Sequence, residues 1–185
     1  MSNSRAVTQN GEKKTRFDSG TSELEIIDLG CGDGTLTAEM AKFANKVTAV
    51  DINPDILAMA RQRTERLGMK NVSFLVEDAS NLSLSSESLD IAFFSQSLHH
   101  LENPQKGLHE AARILRSGGQ VLVMELASHK EEWVLEKLGH KWLGFEKEYL
   151  IDLMQNAGLK NLYSEVLPHR REELFQIILS AGSKQ

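Results

Sequence analysis

IIDLGCGDGTL (Ile26–Leu36) runs from an apolar strand signal into a turn that holds three glycines and an aspartate, with a second aspartate just ahead of them. Glycines in a turn between a strand and a helix let the backbone approach a ligand closely. In pyrophosphate sites such a turn reads G-x-G-x-x-G and opens a helix whose N-terminus faces the phosphates. Here Gly30, Gly32 and Gly34 are spaced G-x-G-x-G instead. Asp28 precedes them and Asp33 lies inside the turn. A carboxylate beside a pyrophosphate is repelled unless a metal or basic residue stands between them, and the neighbouring sequence offers none. A ligand that is cationic where a dinucleotide is anionic reverses the sign: glycines still admit it, and the acids attract it.

Outward from this turn, short β-rich runs alternate with helical patterns. Strands are expected at Glu25–Leu29, Lys46–Asp51, Val72–Glu77, Asp90–Ser95, Gln120–Leu126, Asn161–Leu167 and Leu174–Ala181. The helices between the early ones carry apolar faces at Leu36, Met40 and Phe43, and at Ile56, Ala60, Arg63 and Leu67. Asn53-Pro54 and Asn103-Pro104 each set a capping side chain before a proline suited to the first helical position. Gly118-Gly119 is expected to end the second of these helices. Strict alternation implies parallel pairing with right-handed crossovers, which makes a doubly wound α/β sheet covered on both faces. The last two runs, separated by PHRRE, read as a hairpin, so one strand is antiparallel.

Ligands of such sheets bind beyond the carboxyl ends of the strands. Asp51 ends the second strand, where an acid can take two ribose hydroxyls. Asp78 ends the third and suits an adenine amino group. Ser95 and Gln96 end the fourth. Three acids at three consecutive strand ends, with no basic partner, fit S-adenosylmethionine, which has no phosphate and carries a sulfonium and an ammonium.

The runs DLGCGDG, VDINPDIL and VEDASNLSLSSESLDIAFFSQSLHHLENPQKGLHEAARILRSGGQVLVME resemble, in order, the motifs of class I S-adenosylmethionine-dependent methyltransferases. The branch is that of the ubiquinone/menaquinone and related small-molecule enzymes. The resemblance implies a seven-stranded Rossmann-like sheet with an antiparallel last strand in a three-layer α/β/α sandwich. It implies that Asp28, Gly30, Cys31, Gly32 and Gly34 line the methionine part of the cofactor. Asp51 and Ile52 would hold ribose and adenine, Asp78 and Ala79 the adenine edge, with Ser95 and Gln96 near the sulfonium. SHKEEWVLEKLGHKWLGFEKEYLIDLMQNAGL is similar to methyltransferase-like domains that follow winged-helix regulators of the arsenic-repressor type. The N-terminal tail is too short to hold that DNA-binding module.

For chemistry, His99 and His100 in SLHHLENP are candidate general bases just past the fourth strand. Cys31, the single cysteine, sits in the cofactor turn rather than where a nucleophile would act. On one helix, His129, Trp133, Glu136 and His140 would share a face. That face reads as a substrate wall, with His129, Trp133 and His140 as contacts. Glu136 and His140 lack a third ligand, so no metal is expected. Trp142 and Phe145 are expected to anchor the segment.

The chain has 185 residues, 41% hydrophobic, with a net charge of −5. This fits one core-forming domain over 23–185. Lys and Arg are scattered among acids, which argues against a nucleic-acid groove. Residues 1–22 are polar and read as a disordered tail, and no run is long and apolar enough for a membrane span. One cysteine suits a reducing, cytoplasmic setting. Two activities remain: methyl transfer to a small-molecule acceptor, or a sensor that binds S-adenosylmethionine or S-adenosylhomocysteine without turnover.

Overall fold

A computed structural model describes residues 23–169 and 174–185. In chain order the elements are β1 (Glu25–Leu29), α1 (Thr35–Met40), β2 (Lys46–Asp51), α2 (Pro54–Arg66), β3 (Val72–Val76) and β4 (Leu89–Ser95). A 3₁₀ turn (Leu98–His100) leads into α3 (Pro104–Ile114) and β5 (Leu115–Leu126). Then come α4 (Trp133–Lys137), α5 (Lys147–Asn156), β6 (Lys160–Val166) and β7 (Ile177–Ser183). The expected disorder of residues 1–22 and part of the PHRRE link lie outside the described residues.

The sheet order is β3-β2-β1-β4-β5-β7-β6. The first five strands are parallel, and β7 inserts antiparallel between β5 and β6. This is the doubly wound sheet expected from the sequence, with the strand order reversing beside β1. Alternate residues feed opposite faces, as the pleat requires. Ile27, Leu29, Val50, Ala92 and Phe94 join the large core that takes in Leu108 and Ala111 of α3 and Leu150 and Met154 of α5. Ile26, Val47 and Ala49 face the other way, into smaller clusters closed by Ala41 beyond α1 and by Leu57 and Ala60 of α2.

The two Asn-Pro starts are realised as expected. Asn53 Oδ1 accepts from the amides of Asp55 and Ile56, and Asn103 Oδ1 from that of Lys106, with proline opening each helix. Other local expectations are corrected. α1 stops at Met40, and Phe43 is exposed. α2 buries Leu57, Ala60 and Thr64, while Leu67 is exposed and Arg63 turns toward the glycine turn. α3 ends at Ile114, because Leu115 is already extended and pairs with Leu89. Gly118-Gly119 binds the chain beyond β7: the Gly118 amide donates to the Lys184 carbonyl, and the Lys184 amide to that of Gly119. β7 begins at Ile177 rather than Leu174. No helix among the described residues is long and apolar enough to cross a membrane.

Candidate active site

The glycine turn is tied to the second strand. The amides of Gly30 and Cys31 both donate to the Val50 carbonyl at 2.8 and 2.9 Å. The Gly32 amide donates to Asp51 Oδ2 at 3.1 Å. Two glycines are also forced by close approach. A Cβ on Gly30, whose φ is +77°, would lie 2.4 Å from Ser97 Cβ. At Gly34, φ +78°, it would lie 2.8 Å from Ala60. The turn therefore packs tightly between the end of β4 and helix α2.

Asp33 and Asp28 have different surroundings. Asp33 Oδ1 accepts from the Thr35 amide and hydroxyl, and Oδ2 pairs with the Arg63 guanidinium at 2.5 Å. The Thr35 hydrogen bonds, helped by Arg63, hold its carboxyl below the usual range. A basic residue is thus beside the turn after all, brought from α2, but Asp33 occupies it. Asp28 is 1% exposed, accepts from the Thr37 hydroxyl at 2.5 Å through Oδ2, and has no partner among the described residues for the buried Oδ1. Burial pushes its pKa up to about 6; Thr37 opposes that shift and Asp51 adds to it. Burial, then Asp28 and Asp51, push the Cys31 thiol up to about 12, which leaves it inert as a nucleophile.

These groups open into a cleft of about 1180 Å³ at the carboxyl ends of the strands. Asp28, Gly30, Cys31, Gly32, Asp51, Ile52, Asp78, Ala79, Ser95 and Gln96 all line it. Gly34 does not; it serves the turn from behind, against Ala60. Ile52 stands 68% exposed, an apolar face offered to the cleft. Asp78 Oδ1 accepts from the Ser80 amide. The residues suit S-adenosylmethionine: an unpartnered buried carboxylate oxygen for a cation, a further acid at the end of β2, and an exposed apolar surface.

The far end of the cleft departs from the sequence reading. His100 lines it, but His99 is 2% exposed and does not. His99 Nδ1 lies 2.7 Å from Glu125 Oε2. The expected helix carrying His129, Trp133, Glu136 and His140 is also corrected, because α4 is a short helix spanning Trp133–Lys137. His129 precedes it, stacks on Phe175, and accepts at Nδ1 from the Glu131 amide. The Trp133 indole donates to Glu131. Neither lines the cleft. His140 lies beyond the helix, buried against His99 and His100 with ring centroids 4.2 and 4.9 Å away. The His99 carbonyl accepts from the amides of Lys141 and Trp142, which draws the segment after α4 onto the 3₁₀ turn. Trp142 and Phe145 stack there, with Phe145 fully buried, so both anchor the segment as expected. Sequence reasoning missed Glu125, which the spacing of SLHHLENP could not connect to its histidine.

A family model described as a methyltransferase domain matches residues 27–123, over half of the chain. The ubiquinone/menaquinone biosynthesis C-methyltransferase of Zymomonas mobilis is 29% identical over 67% of this chain and 47% of its own length. The 2-methyl-6-phytyl-1,4-hydroquinone methyltransferase 2 of rice is 31% identical over 76% of this chain and 40% of its own. The chain thus spans about half or less of the length of these curated relatives. Among solved structures, a putative methyltransferase of Bacillus halodurans superposes with a TM-score of 0.76 at 21% identity, covering 89% of this chain and 94% of the other. With the motifs, the sheet order and the acid-lined glycine turn in agreement, this chain belongs to the class I S-adenosylmethionine-dependent methyltransferases.

Proposed function

We propose that this chain catalyses methyl transfer from S-adenosylmethionine to a small-molecule acceptor entering beside His100. The observation that carries the reading is the unpartnered Oδ1 of buried Asp28 in a cleft that the glycine turn and the strand-end acids Asp51 and Asp78 also line. Bound S-adenosylmethionine supplies an electrophilic methyl on a cationic sulfur. The protein holds and aligns it. Asp28 and the glycine turn take the methionine part, and Asp28 is the one group in the turn with a free oxygen for a positive charge. Asp51 keeps each oxygen in one backbone hydrogen bond, to Gly32 and to Asn53, and has lone pairs left for ribose hydroxyls. Ile52 and Ala79 offer the apolar faces an adenine ring needs, and Asp78 an acceptor for its amino group. Ser95 and Gln96, with Gln96 at φ +49°, form the wall opposite the turn.

On the acceptor side, His100, Leu101, Leu138 and Lys141 line the cleft. Burial and the neighbouring His99 hold the His100 pKa below its ordinary value, so its ring is neutral at pH 7. Alignment of donor and acceptor supplies much of the acceleration in such reactions. Because the relatives act in quinone biosynthesis and on a phytyl hydroquinone, demethylated quinols are the first acceptors to test. Protein incubated with methyl-labelled S-adenosylmethionine and a panel of quinols, phenols, thiols and amines is expected to yield one labelled product and S-adenosylhomocysteine. Micromolar binding of S-adenosylhomocysteine with no transfer to any acceptor would replace the enzyme by the sensor.

A further inference from the structure

The cluster behind His100 contains more than a base requires. His99, His100 and His140 each offer a ring nitrogen within 4.8 Å of the others. Their rings lie 4.2 to 4.9 Å apart with no hydrogen bond between them. His140 is 8% exposed, and its Nδ1 is buried without a partner among the described residues. Glu125, 0% exposed, accepts from the amides of Leu98 and His99 through Oε1 and from the Leu126 amide and His99 Nδ1 through Oε2. With three amides already donating to the carboxylate, His99 Nδ1 is its fourth donor, which leaves Nε2 as the ring atom available to a metal ion. A carboxylate that fixes a histidine tautomer from behind is the usual support of a metal-binding imidazole. A buried negative charge here also compensates a cation.

We propose that His99, His100 and His140 bind one divalent ion of the zinc class, with a remaining coordination position for an acceptor hydroxyl or thiol in the cleft. Three imidazoles with no thiolate or additional carboxylate ligand favour zinc, cobalt, nickel or copper over magnesium and calcium. Three protein ligands leave a fourth position free, as in catalytic zinc sites. Tetrahedral zinc sets its nitrogens about 3.3 Å apart, so the rings close modestly on binding. His129 is not a ligand, because the Glu131 amide occupies its Nδ1 and the proton is then on Nε2. The expectation of no metal rested on Glu136 and His140 as the available pair. The fold replaces Glu136 with two histidines from the turn after β4. Since His100 also lines the cleft, the site lies at the acceptor end. The role given to the fourth position rests on the methyl-transfer reading; the metal site itself does not.

The test uses the full chain stripped of metal by chelator and loaded with Zn²⁺ or Co²⁺. One ion per chain by elemental analysis is expected, with intense tetrahedral Co²⁺ bands in the visible. Mg²⁺ and Ca²⁺ should not compete. His140→Ala and His100→Ala should each lower affinity at least tenfold, while His109→Ala, remote on α3, retains it. Binding of S-adenosylhomocysteine, measured in parallel, shows that each variant is folded and keeps the two readings separable. Failure of the wild-type chain to bind zinc, or binding that survives both variants, would overturn the site. Co²⁺ bands that stay unchanged on adding a small thiol would overturn the open position.

Discussion

The two ends of the cleft are built differently. The end proposed for the cofactor is assembled from residues at the tips of β1, β2 and β3 and is locked by the amides of the glycine turn, which donate to the Val50 carbonyl and the Asp51 carboxylate. The end proposed for the acceptor is built from side chains: His100 lines it after β4, backed by buried His99, by Glu125 near the end of β5 and by His140 beyond α4. The first end tolerates little change because a glycine there has no room for a methyl group. The second can change its chemistry by exchanging side chains on a fixed frame. This is how one fold serves many acceptors.

The difference between the two ends is widest at Gly30. In Gly30→Ala a Cβ must occupy left-handed backbone 2.4 Å from Ser97 Cβ, at a cost of about 2–5 kcal/mol. Urea unfolding should show that loss together with loss of cofactor binding. Wild-type stability in Gly30→Ala would mean that the turn is not locked.

Asp28 separates binding from stability. Its folded pKa, about 6, stands above the ordinary 3.8, so the folded state binds the extra proton between those values. The ligand-free protein therefore gains stability from this group as pH falls from 6 toward 4, and above pH 6 the carboxylate costs about 3 kcal/mol. Asp28→Asn should raise the urea midpoint at pH 7.5 and leave it nearly unchanged at pH 4. The same variant should weaken S-adenosylmethionine about 10–100-fold. A variant weaker in both stability and binding would mark Asp28 as structural.

At the acceptor end, Glu125→Gln keeps the volume and removes the charge behind His99. Zinc affinity should fall about tenfold or more, with binding of S-adenosylhomocysteine unchanged. Equal losses at both ends would erase the contrast. The smallest effect is expected at Arg63→Ala. Its ion pair with Asp33 is well exposed on both sides and is worth under about 1 kcal/mol.

The same contrast explains what the sequence disclosed. Asn53-Pro54, Asn103-Pro104 and the glycine turn are legible because their partners lie within a few residues or at adjacent strand ends. The face of α2 was misread because Ile56 and Leu57 are neighbours, and periodicity alone does not choose between them. Leu57 went to the core, and Ile56 lines the cleft. The His140 contacts were invisible because they depend on the His99 carbonyl capturing Lys141 and Trp142, a tertiary event with no local signal. A helix of His129, Trp133, Glu136 and His140 was a sound periodic reading that tertiary packing overrode.

Cofactor recognition depends on Asp28 meeting a positive charge. Calorimetric titration of S-adenosylmethionine into the wild-type chain and into Asp28→Asn, between pH 7.5 and 5, tests it most directly. The wild type should bind more tightly at pH 7.5, release a proton on binding near pH 6, and lose affinity as pH falls below 6; the variant should bind weakly with little pH dependence across that range. Equal affinity in the two proteins, with the same pH profile, would contradict the account.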